Sequence, residues 1–336
     1  MARNVFRVAF VVLVLVVGAV AHASPEAPVP AERSIADWLA RMHEGSRKRA
    51  FVGTFVVSSA SGMSSSRIWH ACDGEQQLER VVTLTGAPRT TLRRNDDVLT
   101  LLPDEKMAIA EKRESLGLFP KLLNTADSSI GQHYDVRYLG QSRVAGTEAD
   151  VIHLVAKDLL RFSYRVWAER KTGLMVKLQT LDTDGKVLEQ AAYSELQLDA
   201  PVSIARLTKM MSATDGYKVV RPEMVKTTAE SEGWVLKAPV PGFKPMGCVK
   251  RSSGSADGTM QWVFSDGLAS VSVFAEAFDR QRHVQEGLNV AGATRALTRR
   301  VTDRQSEKSH DWWLTVVGEV PAQTLLQFAQ GLERRK

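Results

Sequence analysis

Between residues 51 and 197 the apolar side chains recur at every second position, in short runs separated by tight turns. Phe51, Gly53, Phe55 and Val57 alternate with smaller residues, and Ile68, His70 and Cys72 alternate with Arg67, Trp69 and Ala71. A period of two is the period of a β-strand with one face turned to a core. Runs of the same kind occupy 79–85, 98–102, 107–110, 134–143, 150–156, 161–169, 174–182 and 187–197. Lys171-Thr172-Gly173 and Asp182-Thr183-Asp184-Gly185 supply turn residues that tolerate positive φ between the last three. Consecutive strands joined this way build one large curved antiparallel sheet, whose concave face needs cover. Two segments can supply it. One is a helix opening at Ser34 or Asp37 and running to about Arg47, with Trp38, Leu39 and Met42 on one face; the other is a short helical or irregular break at 116–123 containing Pro120.

The pattern changes after residue 200. Residues 201–231 mix Met210, Met211, Pro222 and scattered charges, with a short helix expected at 204–212, and read as a linker. A second domain begins near Trp234, its entry turn marked by Pro239, Pro241 and Gly242. Strands are expected at 261–264, 268–276 and 312–317, with Ser265-Asp266-Gly267 as a hairpin turn and Phe274 in the core. Pro321 opens a final helix over 322–333, with Leu325, Leu326, Phe328, Ala329 and Leu332 on its apolar face. The chain is thus expected to be α+β and rich in strand: a large β domain at 34–200, a linker at 201–232 and a small α+β domain at 233–336.

The first residues address the chain. Arg3 and Arg7 precede an apolar run from Val8 to Val20, and Ala21-His22-Ala23 offers a cleavage site. That order reads as a secretory signal peptide over residues 1–23, with an uncleaved N-terminal anchor as the alternative. Cleavage after Ala23 leaves 336 − 23 = 313 residues and takes the formal charge from +6 to +4. So mild an excess gives no reason to invoke nucleic acid. In an oxidising compartment the two cysteines, Cys72 and Cys248, either pair and staple the domains together or remain separate thiols.

Signatures of catalysis are missing. The sequence holds no G-x-S-x-G elbow, no H-E-x-x-H, no C-x-x-C and no phosphate-binding glycine loop. His70 and Cys72 share a strand face, but two ligands do not make a metal site. Asp182-x-Asp184-Gly185 fails as a calcium loop, because a register with Gly185 at the sixth position starts at Thr180 and ends at Ala191, where a glutamate is needed. No enzyme activity and no cofactor are expected. Binding residues offer more. Phe162, Tyr164 and Val166 share one strand face, while Trp167 lies on the other with Arg161 and Arg165; Leu174, Val176 and Leu178 share a face of the next strand. Trp69, Phe162, Tyr164 and Trp167 could border a groove for an acyl chain, with Arg161 and Arg165 near an anionic group. The competing reading makes them ordinary core and a solvated charged face.

These segments carry a resemblance. Arg161-Phe162-Ser163-Tyr164-Arg165-Val166-Trp167, Thr172-Gly173-Leu174, Asp182 with Gly185, and Leu188-Glu189-Gln190 are similar to the core signature of the RseB/MucB family of periplasmic sigma-factor regulators. Ser66-Arg67-Ile68-Trp69-His70, Gly86-Ala87-Pro88-Arg89 and Arg143-Val144-Ala145-Gly146 fit its pattern upstream. Pro241-Gly242-Phe243, the run from Phe264 to Phe274, and Val316-Val317-Gly318-Glu319-Val320-Pro321 fit it downstream. Thr90, Ala168 and Gly292-Ala293-Thr294 depart from that pattern. The resemblance implies a large domain of the LolA/LolB type, an unclosed antiparallel β-barrel over helices, followed by a smaller α+β domain. It implies a partner, the periplasmic domain of a membrane-anchored anti-sigma factor, shielded from site-1 proteolysis until lipopolysaccharide or another acylated lipid triggers release. A periplasmic lipid or lipoprotein carrier is the alternative that the large domain alone would support.

Overall fold

The computed structural model describes residues 33–112, 129–251, 258–302 and 311–335. Helix α1 (Ile35–Arg47) starts where Ser34 closes a capping box: the Asp37 amide donates to Ser34 Oγ at 3.2 Å, and the Ser34 amide donates to Asp37 Oδ2 at 3.1 Å. Two otherwise orphaned donors are thereby satisfied. The helix buries Ile35, Trp38, Met42 and Gly45 on one face.

Two meanders follow. The first comprises β1 (Phe51–Ser59), β2 (Gly62–Cys72), β3 (Gln77–Thr83), β4 (Thr90–Arg94), β5 (Asp97–Leu102) and β6 (Met107–Lys112). After the single-turn α2 (Ile130–His133) comes the second: β7 (Tyr134–Val144), β8 (Thr147–Ala156), β9 (Ser163–Glu169), β10 (Met175–Leu181) and β11 (Val187–Leu198). Pairing of β1 with β11 fuses them, and α3 (Ile204–Met211) then leads to β12 (Lys218–Val220), which lies parallel to β6. The sheet has twelve strands in the order β12-β6-β5-β4-β3-β2-β1-β11-β10-β9-β8-β7 and stays open at β12 and β7. The expected break at 116–123 lies outside the described residues.

The strands β8 to β10 are buried on both faces. Trp38 and Met42 of α1 cover Ile152, Leu154, Tyr164, Val166 and Leu178. On the other face Trp167, Leu174 and Val176 join Phe51, Phe55, Ile68 and Tyr193. Strict alternation puts Leu174, Val176 and Leu178 together; a bulge between Met175 and Lys177 moves Leu178 to the α1 side. Leu207 of α3 packs on Ala71 and Leu78, and each such buried leucine contributes about 1.5–3 kcal/mol.

The second sheet is built from β13 (Met224–Lys226), β15 (Lys244–Arg251), β16 (Thr259–Ser265), β17 (Ser270–Ala277), β18 (Gly287–Ala291), β19 (Thr294–Thr302) and β20 (Asp311–Gly318), in the order β13-β15-β16-β17-β20-β19-β18. Helix α4 (Ala322–Gly331) buries Leu325, Phe328 and Ala329 against Phe243, Phe264, Val271, Val273 and Val316. A ribbon of β14 (Trp234–Leu236) and β21 (Leu332–Arg334) closes the end of this core. Phe274 departs from expectation. In β17 the fully buried positions are Val271, Val273 and Ala275, so Phe274 points to the opposite, half-buried face. Residues 201–232 are shared out: α3 and β12 belong to the large sheet, and β13 to the small one.

Candidate functional site

The chain enters β9 through Arg161, whose guanidinium is wholly buried. Every nitrogen of it donates: Nε to Asp158 Oδ1 at 3.0 Å, Nη1 to Asp266 Oδ2 at 3.0 Å, and Nη2 to the Pro241 carbonyl at 2.8 Å. Asp266 sits in the turn between β16 and β17, so this ion pair ties the large sheet to the small one. Asp266 is itself fully engaged. Its Oδ1 accepts from the amides of Leu268 and Ala269 at 2.9 and 2.7 Å, and its Oδ2 also accepts from Tyr134 Oη at 3.0 Å. A buried charge is tolerated only with such complete pairing. The rings of Phe243 and Tyr134 lie 5.3 and 5.8 Å from the guanidinium carbon. Gly242, at φ 83°, leaves no room for a side chain: a Cβ there would stand 2.8 Å from Arg161 Nη2 and 2.7 Å from the His133 ring. Burial, and after it the Arg161 charge, lowers the His133 pKa.

Other ties flank this hub. Thr324, in the first turn of α4, donates its hydroxyl to the Leu160 carbonyl at 2.6 Å. Arg295 of β19 lies over the Phe162 ring at 4.7 Å and 3.8 Å from Asp182. The turn between β18 and β19 comes down on Glu189, where a Cβ on Gly292 would fall 2.2 Å from Oε2. Burial raises the Glu189 pKa.

The residues singled out as a groove are placed apart. Phe162 is fully buried beside the hub. Tyr164 packs in the α1 core, where burial drives its pKa well above the ordinary value. Trp167 lies in the cluster on the opposite face of β9, with Lys177 Nζ 4.4 Å from its ring. Trp69 is half-buried on β2 between Arg67 and Arg80, at 5.5 and 4.8 Å, and points away from the face that carries Ile68. The four aromatics therefore do not line one cleft. Arg161 meets an anion, but an internal one. Arg165 donates to Gln179 Oε1 at 3.3 Å on the Trp167 side. Asp266, Tyr134, Asp158 and Pro241 were not legible as its partners: Asp266 and Pro241 read only as turn residues.

The bridge between Cys72 and Cys248 is not formed. Both are free thiols, one ending β2 of the large sheet and the other in β15 of the small one. Burial raises both pKa values, that of Cys248 to about 11. His70 is buried, stacked on Phe51 at 4.8 Å, with Nδ1 3.2 Å from Glu79 Oε1. Among the described residues no three His, Cys, Asp or Glu side chains gather as a metal site requires, and no helix is long and apolar enough to cross a membrane. Asp182 to Gly185 is the β10–β11 hairpin, with the Gly185 amide donating to the Asp182 carbonyl at 2.9 Å.

Comparison with known proteins reaches both sheets. The family model of the MucB/RseB N-terminal domain matches residues 34–211, and that of the MucB/RseB C-terminal domain matches residues 228–333. The chain is 29% identical over 304 residues to the sigma factor AlgU regulatory protein MucB of Pseudomonas aeruginosa, covering 88% of this chain and 90% of that one. It is 23% identical over 328 residues to the sigma-E factor regulatory protein RseB of Escherichia coli K12, covering 95% and 96%. A solved MucA/MucB complex of Pseudomonas aeruginosa superposes with a TM-score of 0.69 at 26% identity, over 90% of this chain and 99% of that one. A crystal structure of MucB in complex with MucA(peri) gives 0.67 at 27%, with the same coverage.

Proposed function

The chain belongs to the MucB/RseB family, and on that premise we propose that it is a periplasmic negative regulator that binds the periplasmic domain of a membrane-anchored anti-sigma factor. Bound, it shields that domain from site-1 proteolysis, so the sigma factor stays sequestered. It acts by binding and not by catalysis. In this reading residues 1–23 are an export signal cleaved after Ala23, 34–200 form the large domain, and 233–336 form the small one. The observation that carries the proposal is the fit of both lobes, in order, to MucB as it occurs in complex with MucA(peri). The Arg161–Asp266 tie supports it, because it holds the two sheets as one surface.

Release by lipopolysaccharide or another acylated lipid belongs to the same reading. A lipid that prefers the partner-free conformer weakens partner binding by the same factor that the partner weakens lipid binding. Because Phe162, Tyr164 and Trp167 are packed, a lipid that reached them would have to open the core, and this coupling gives the ligand its leverage. The test is cleavage of the anti-sigma periplasmic domain by site-1 protease with and without the mature chain. Protection that added lipopolysaccharide removes supports the proposal. Equal cleavage with and without the chain contradicts it.

A further inference from the structure

Three arginines meet around Trp69 with no acid among them. Leu207 of α3 packs on Ala71 and Leu78, which sets this helix on the face of the large sheet that carries Trp69 and brings Arg206, in its first turn, towards Arg80. Trp69 and Arg80 are direct cross-strand partners on β2 and β3. Arg67 stands two residues along β2 on the same face, a diagonal neighbour of Arg80 at roughly 7–8 Å and within reach of long side chains. The guanidinium carbons of Arg67 and Arg80 lie 5.5 and 4.8 Å from the Trp69 ring.

Among the described residues none of these three guanidiniums makes a hydrogen bond or an ion pair. Arg67 Nε is shut off from solvent and donates to nothing. Burial, and after it the Arg206 charge, lowers the Arg80 pKa. The first turn of α3 holds no acid. The acids met along the register of this face, Glu195 on β11 and Asp97 on β5, each stand two strands away, about 9.5 Å or more. The Trp69 ring attracts cations but cancels none of their charge. Crowded, partly desolvated like charges are costly, and a ligand that brings the missing negative charge removes that cost.

We propose that Arg67, Arg80 and Arg206 form, beside Trp69, a binding site for a phosphomonoester. Three guanidiniums call for more than one negative charge. A carboxylate brings one, whereas a phosphomonoester brings about 1.5 to 2 and three acceptor oxygens. The planar fork of arginine suits such oxygens. A lipid headgroup and a soluble phosphate ester present the same chemistry to these side chains. The inference goes beyond the proposed function: it assigns an anion site on the α3 side of the large sheet, apart from Arg161, whose charge Asp158 and Asp266 already meet.

The probes are phenyl phosphate in solution and phosphatidylcholine vesicles doped with phosphatidic acid. Vesicles doped to equal charge with phosphatidylglycerol, a phosphodiester, are the control. Calorimetry follows the first and co-sedimentation the vesicles. The mature chain is expected to bind at least one monoester probe. Arg67→Gln or Arg80→Gln should weaken that binding about tenfold, and Arg137→Gln, on β7, should leave it unaltered. Arg80→Gln relieves repulsion and should melt no lower than the parent, so that lost binding is not lost fold. Binding of phenyl phosphate alone identifies a soluble ester as the ligand, and binding of phosphatidic acid vesicles alone identifies a headgroup; either supports the site. Binding of neither probe, or binding that Arg67→Gln and Arg80→Gln leave unchanged, would overturn it. Equal retention on the diester vesicles would also overturn it, as a general attraction to charge. So would weaker binding of the anti-sigma periplasmic domain by Arg80→Gln that phenyl phosphate does not reproduce by competition, which would give the arginines to a protein partner. A chain that binds no monoester yet still protects that domain from site-1 protease would sink this inference and leave the proposed function standing.

Discussion

Arg161 and Asp266 form an ion pair 3.0 Å long in which neither side chain is exposed to solvent, and it joins residues 105 apart in the sequence, one from each sheet. Removing one partner strands a buried charge. Arg161→Met or Asp266→Asn is therefore expected to cost about 3–5 kcal/mol. Arg161→Lys should not restore it, because an ammonium cannot serve Asp158, Asp266 and Pro241 at once. Urea denaturation of the singles and the double would show a coupling above about 1 kcal/mol; additive singles would mean the pair contributes nothing of its own.

Gly45 predicts a second sensitivity. A Cβ there would stand 2.5 Å from the Leu174 amide nitrogen and 2.6 Å from the Thr172 carbonyl oxygen. Both are backbone atoms of the β9–β10 turn, so no side chain can swing aside. Gly45→Ala should cost about 1–3 kcal/mol through this overpacking, despite alanine's better helix propensity. A more stable variant in thermal denaturation would contradict the close approach of α1 to that turn.

Phe328 and Phe274 should behave differently. Phe328 is fully buried against Phe243 and Phe264, so Phe328→Ala is expected to cost about 3–5 kcal/mol. Phe274 faces the half-buried side of β17, and its removal should cost less than half as much. Equal losses in parallel denaturation curves would place both in one core.

The Cys248 thiol is pushed up to about 11 by burial and then by the Glu232 and Glu230 charges. Near neutral pH it holds about two orders of magnitude less thiolate than an ordinary cysteine. Higher intrinsic nucleophilicity offsets part of that, so alkylation should run about tenfold slow. Mass spectrometry of an iodoacetamide time course measures this. A rate at or above that of a free cysteine would mean the thiol is open to solvent.

Glu189 adds a dependence on pH. Burial raises its pKa, so the folded state holds the proton more tightly than the unfolded chain. Its contribution to stability is present below the ordinary carboxylate range and is lost as pH rises through the raised value. Glu189→Gln should raise the melting temperature at pH 7.5 and change it little at pH 4. A variant less stable at pH 7.5 would mean the carboxylate is held by partners that favour its charge.

Much of the fold was legible where local chemistry and pattern agreed. Ser34 capped α1 as its position implied, the glycine turns marked the β9–β10 and β10–β11 hairpins, and α4 buries Leu325, Phe328 and Ala329 of its expected stripe, whereas Leu326 is exposed and Leu332 falls in β21 beyond the helix end. The strands that sequence reasoning missed lack that agreement. β15 carries Pro245 and Gly247 at a register shift, and β19 carries Arg295, Arg299 and Arg300 on a strand only partly buried. A bulge in β10 reverses the phase that alternation assigns to Leu178. The site was legible as residue types and not as partners. Arg161 and its aromatic neighbours stood out, but no local pattern in the sequence points from Arg161 to Asp266.

The most direct test is calorimetric titration of the mature chain with the periplasmic domain of the anti-sigma factor encoded beside it, repeated with lipopolysaccharide present. The account predicts binding that lipopolysaccharide weakens. Absence of binding under both conditions would contradict it and return the large lobe to the reading of a lipid or lipoprotein carrier.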